Sequence, residues 1–148
     1  MTFLGIDPGR KGALAIVRPT EALVYRFDSE TYRRMLMSVA ESDCFCVMEH
    51  VGAMPGQGVT SMFSFGENFG WIRGVLDSFH IRYELVRPQT WKKALCVTAD
   101  KQTSIARCKE LFPAVRLIPK GCRVEQDGMA EALLLAYYAR EFEQWKMT

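Results

Sequence analysis

The stretch that most constrains this chain is Phe3-Leu4-Gly5-Ile6-Asp7-Pro8-Gly9. It is short and apolar as far as Ile6, the pattern of a buried central strand. Pro8 has no N–H for a ladder and Gly9 suits a tight turn, so the strand ends there. Asp7 is therefore predicted at the C-terminal end of that strand. An ionisable carboxylate in such a place is costly without a partner. A turn Asp capping its own backbone is the simple alternative. Three further acids, Glu49, Asp127 and Glu131, favour the other reading.

At 148 residues, 49% hydrophobic and 24% charged, the chain reads as one globular domain, 1–148, with a sizeable core. No apolar run approaches the roughly 18–20 residues of a membrane span, so no membrane partner is expected. The N-terminus enters a strand without the pattern of a signal peptide. Five cysteines without a CxxC pair argue against zinc and for reduced thiols, hence a cytoplasmic setting. The net charge of +2 conceals an uneven distribution, because Arg82 to Arg123 holds ten Lys/Arg against three acids. A basic half on a near-neutral chain predicts a polyanionic partner. An ordinary solvated Lys/Arg surface is the alternative.

Taken in order, Arg10-Lys11-Gly12 makes a basic turn, and Ala13 to Val17 returns as a second strand. Ala22 to Phe27 reads as a third strand at the edge. Glu30 to Glu41 is predicted helical, with Tyr32, Met35, Leu36 and Val39 on one face and Ser29 as N-cap. Cys44 to Met48 is a fully apolar strand that follows a helix and so runs parallel to the first. Gly52 to Gly66 reads as a long loop with Met54, Met62, Phe63 and Phe65 interleaved. Glu67 to Phe79 is the next helix, Ile81 to Val86 the fifth strand, and Asp100 to Phe112 a further helix ending at Pro113. Arg116 to Glu125 is a basic loop. A final helix runs from Gly128 to about Trp145, with Ala132, Leu135, Ala136 and Ala139 inward. The sum is an α/β fold: a mixed five-stranded sheet with helices on both faces. Strand Asp, later strand Glu and acidic C-terminal helix, in that order, match the ribonuclease H-like arrangement.

Glu49 follows the fourth strand as Asp7 follows the first, so parallel neighbours bring the two together. Asp127 and Glu131 are four apart and share one helix face. An acidic first turn complementing the helix dipole is the competing account of that pair. Like charges about 4 Å apart repel by roughly 4 kcal/mol at an effective dielectric near 20, so four converging carboxylates need a counter-cation. Hard oxygen ligands select Mg²⁺, with Mn²⁺ as a substitute. Two such ions about 3.5–4 Å apart hydrolyse phosphodiesters. No Ser-His-Asp set or Walker loop competes with this chemistry. His50 and His80 are candidate assistants or structural residues.

The segments LGIDPG at 4–9, VMEH at 47–50, RPQTWKK at 87–93 and DGMAEALLLA at 127–136 resemble Holliday junction resolvases of the RuvC type, most closely the phage-encoded and chloroplast branches. The resemblance runs over nearly the whole chain. It implies a ribonuclease H-like fold and a homodimer acting on four-way junctions in DNA recombination and repair. Each subunit would nick one of two opposing strands, with Asp7, Glu49, Asp127 and Glu131 as the metal-binding catalytic set. Bacterial members carry two Asp residues three apart in the last motif, where this chain has Asp127 and Glu131 four apart. The setting implied is a bacterial or phage-infected cell, or an organelle. Lys92, Lys93, Lys101, Lys120 and Arg123 are expected to meet phosphates. Arg10 and Lys11, beside Asp7, are expected to hold the scissile strand, a solvated hairpin tip being the alternative. The loop with Met62, Phe63 and Phe65 is the candidate for an apolar wedge into the crossover, against a place for Met62 and Phe65 in the core or dimer interface. Helix 67–79 is the candidate interface. The sugar-kinase and actin-like ATPase fold also opens on a strand with Asp and Gly, but needs two such domains. A flap, fork or hybrid nuclease and a non-catalytic junction-binding protein are the remaining alternatives.

Overall fold

The structure is a computed structural model that describes residues 1–143. Strands β1 (Thr2–Asp7), β2 (Ala13–Arg18) and β3 (Glu21–Arg26) form an antiparallel meander. Helix α1 (Ser29–Val39) then leads to β4 (Cys44–Glu49), and α2 (Val59–Ser78) to β5 (Tyr83–Val86). Helices α3 (Pro88–Ala94), α4 (Lys101–Leu111) and α5 (Asp127–Tyr138) follow, and a π-helical turn, Ala139–Glu143, continues α5. The sheet order is β3-β2-β1-β4-β5, with β4 parallel to both β1 and β5. The expected mixed five-stranded α/β sheet with helices on both faces is the fold observed.

Alternation along the strands sorts the core into two layers. Leu4, Ile6, Leu14, Ile16, Cys46 and Met48 face α1 and α2, where Tyr32, Leu36, Ile72 and Leu76 meet them. Phe3, Ala13, Ala15, Phe45 and Val47 face α5 and α3. Each fully buried Leu or Ile contributes about 1.5–3 kcal/mol. Helix α5 is buried on every side from Gly128 to Ala136, not only on the one face the sequence suggested. It lies directly on β1, because Gly5 has no side chain to hold the layers apart. A Cβ there would meet the backbone of Ala132 and Ala136.

Several expectations are corrected. The loop expected over 52–66 is half helix, since α2 already begins at Val59. Gly66 reads as a breaker, but the helix tolerates it, and Phe65 stacks on Phe69 one turn later at 6.1 Å. The N-cap of α1 is Asp28 rather than Ser29: its Oδ2 accepts from the Thr31 N–H at 2.9 Å. Pro88 opens a seven-residue helix where the sequence suggested only an exit from β5. The final helix changes to a π-turn at Ala139, and the expected end at Trp145 lies outside the described residues. No helix among the described residues is long and apolar enough to cross a membrane.

Candidate metal centre

Asp7 and Glu49 end adjacent parallel strands one step beyond the Ile6–Met48 pair. Alternation turns both toward α5, on the same side as Phe3, Phe45 and Val47. Glu131 comes from α5, one turn past its start. One carboxylate oxygen from each of the three lies within 4.8 Å of the others. Glu49 and Glu131 are buried, and Asp7 is partly so.

Three anionic groups this close perturb one another. Burial, then Glu49, Glu131 and Asp127, push the Asp7 carboxyl well above the ordinary carboxylate range, against the pull of Lys92. Burial raises Glu49 as well, and Glu131 adds to it, while the Trp91 hydrogen bond and Lys92 oppose.

Each buried carboxylate has its own holder. The Trp91 indole N–H donates to Glu49 Oε2 at 2.7 Å. The Ser104 hydroxyl donates to Glu131 Oε1 at 3.2 Å, and the Lys92 ammonium sits 3.4 Å from the same oxygen. The sequence reading missed Trp91 and Ser104. Trp91 stands inside the RPQTWKK segment, but its partner is 42 residues away. Nothing in the local sequence distinguishes Ser104 from any helical serine.

Asp127 stands outside the three-carboxylate cluster. It occupies the first turn of α5, partly exposed, and pairs with Lys101 at 3.4 Å. The Lys101 side chain is itself 73% exposed at the start of α4. Lys93 is exposed in the last turn of α3. Arg10 and Lys11 are exposed in the turn after Asp7. Lys120 and Arg123 are exposed between α4 and α5, and no ion pair among the described residues ties them to the carboxylates. Phe63 is 73% exposed on the first turns of α2, whereas Met62 lines a small apolar cavity with Val51, Phe65 and Phe69. His50 stacks on Phe69, and His80 holds the left-handed turn after α2 at φ 57°. Neither joins the cluster.

The donor set suits a hard divalent cation: three carboxylate oxygens, converged at the ends of strands held in fixed register, with burial disfavouring their unbalanced charge. No protein-family model matches the chain, and no curated protein matches it in sequence. Among solved structures it is similar to Thermus thermophilus RuvC in complex with a Holliday junction substrate. The identity is 16% and the TM-score 0.63, over 96% of this chain and 97% of that one. A second structure of Thermus thermophilus RuvC gives 15% identity and a TM-score of 0.60, over 95% and 96% of the two chains. Over the matched 96% of its length, this chain has the ribonuclease H-like fold of RuvC.

Proposed function

We propose that this chain is a divalent-metal-dependent endonuclease that resolves four-way DNA junctions by paired symmetric nicks. The observation that carries the reading is the convergence of Asp7, Glu49 and Glu131 within 4.8 Å at the strand ends of a RuvC-like sheet. The similar RuvC structure holds a Holliday junction substrate, and the four sequence motifs point the same way, toward the phage-encoded and chloroplast branches.

Asp7, Glu49 and Glu131 would hold the cation, with Asp127 at its margin. When bound, Mg²⁺ or Mn²⁺ supplies water activation and polarisation of the phosphate. The chain's own residues prepare the place. Trp91 and Ser104 orient two of the carboxylates, and Lys92 offsets part of their charge. Lys101, exposed and paired with Asp127, would meet a phosphate. Lys93, Arg10 and Lys11 extend the basic surface, and Lys120 and Arg123 continue it farther along the chain.

Opposing nicks need two equivalent sites, so the protein acts as a two-fold homodimer. The face of α2 supports this. Gly66, Gly70 and Gly74 recur at four-residue spacing and are all exposed. Nothing lies within 4 Å of a Cβ built on any of the three glycines. Each helical glycine costs roughly 0.5–1 kcal/mol against Ala, and close approach of a second helix offsets that. Five free thiols support a reducing compartment, the cytoplasm of a bacterial or phage-infected cell or an organelle.

The test is nicking of a synthetic mobile four-way junction with Mg²⁺, beside a linear duplex, a flap and a three-way fork. Paired symmetric nicks, absent in Asp7→Asn, are the expected result. Equal cutting of flap or fork would make this a general branched-DNA nuclease. Tight junction binding without any cut would refute the enzyme reading.

A further inference from the structure

Trp91 is the bulkiest fully buried side chain among the described residues. A buried indole needs an acceptor for its single N–H, and most carbonyls would serve. Here the acceptor is Glu49 Oε2 at 2.7 Å, a short charge-assisted bond. Two consecutive residues of α3 therefore address two different carboxylates, Trp91 on Glu49 and Lys92 on Glu131. Their effects differ in kind. Lys92 brings charge. The neutral indole brings direction, because a ring packed on all sides cannot follow a carboxylate that rotates.

We propose that Trp91 is a positioning residue: its indole N–H commits one oxygen of Glu49, so that the carboxylate meets a hard cation through its other oxygen alone. This rests on the metal-dependent reading above. A one-oxygen ligand suits small octahedral ions such as Mg²⁺ and Mn²⁺, whereas Ca²⁺ readily takes both oxygens of a carboxylate. The indole thus favours the smaller ions by what it withholds.

The test uses the whole chain without DNA, with Mn²⁺ alone as the probe, followed by loss of the free-ion paramagnetic resonance signal. Trp91→Phe keeps a buried ring and removes the donor. Its Mn²⁺ Kd should rise about tenfold or more, while its Ca²⁺ Kd changes less. In Glu49→Ala the oriented group is gone, so adding Trp91→Phe should leave the Mn²⁺ Kd unchanged. Equal weakening in both backgrounds would assign the loss to packing and overturn the proposal. Unchanged Mn²⁺ affinity in Trp91→Phe alone would overturn it too. A chain that cuts no junction yet shows the Glu49-dependent loss keeps the role of Trp91 and loses the junction reading.

Discussion

Asp7→Asn should stabilise the metal-free protein while abolishing its response to metal. Asp7, Glu49 and Glu131 present oxygens within 4.8 Å of one another. At that separation and an effective dielectric near 20, each ionised pair repels by about 3.5 kcal/mol. Asp7 takes part in two such pairs. Lys92 and partial proton uptake relieve most of this, leaving a gain on the order of 2 kcal/mol when the charge is removed. For a chain of this size that is about 4–8 °C in Tm. The sign follows from the raised Asp7 and Glu49 carboxyls. The fold binds more protons than the unfolded chain, so this contribution is fully present below the ordinary carboxylate range and is lost as pH rises through the raised values. The advantage of Asp7→Asn should therefore grow from pH 4 upward. Thermal melts in chelator across that range measure it. Mg²⁺ at ten times its Kd should then return about 1.4 kcal/mol to the wild type and almost nothing to Asp7→Asn. A variant that melts below the wild type in chelator at pH 7 would refute the claim that these carboxylates oppose one another.

Lys101→Ala should weaken junction binding and lower the slope of log affinity against log salt by about one; an unchanged slope removes Lys101 from the phosphate contacts. Phe63→Ala should fold normally, stay dimeric by sedimentation and cut junctions poorly, as the loss of a wedge requires; full cleavage by the variant refutes that role. Gly70→Leu should block approach along the open face of α2, giving a monomer that binds junctions but does not cut them in pairs; a variant dimer as tight as the wild type moves the interface elsewhere. Gly5→Ala should cost about 1–3 kcal/mol or more, because the added methyl meets backbone rather than a side chain that can turn away; a melt within 2 °C of the wild type would contradict that contact.

Much of the fold was legible because its signals are local. The apolar run ending in Asp7-Pro8-Gly9 marks a strand end, and Cys44 to Met48 after a helix implies a parallel neighbour. Together they place Asp7 and Glu49 side by side. The early start of α2 was hidden because Gly58 and Gly66 look like loop residues, while the stack of Phe65 on Phe69 becomes visible only in three dimensions. The grip of α3 on the carboxylates was hidden for a different reason. A seven-residue helix carries too little periodicity to detect, and its contacts reach 42 residues back to Glu49 and 39 ahead to Glu131. Asp127 looked equivalent to Glu131 from spacing alone. Its position in the first turn leaves it partly exposed and paired with Lys101, outside the three oxygens that converge.

The seam between β1 and α5 has a consequence for how this chain can change. Elsewhere the distance between sheet and helix is set by side chains, and a smaller residue lets the layers settle by tenths of an ångström. Where Gly5 meets Ala132 and Ala136, and Gly128 meets Lys11, main chain rests on main chain. Nothing there can be trimmed. The span from Asp7 to Glu131 is a length ruled by the backbone, insulated from drift in the surrounding core. Volume-conserving exchanges of leucine and valine in both layers should therefore leave the spacing of the three carboxylates unchanged. The same rigidity narrows a route: a side chain added at Gly5 or Gly128 to widen the cluster meets backbone first, and should cost stability before it makes room for a larger ion.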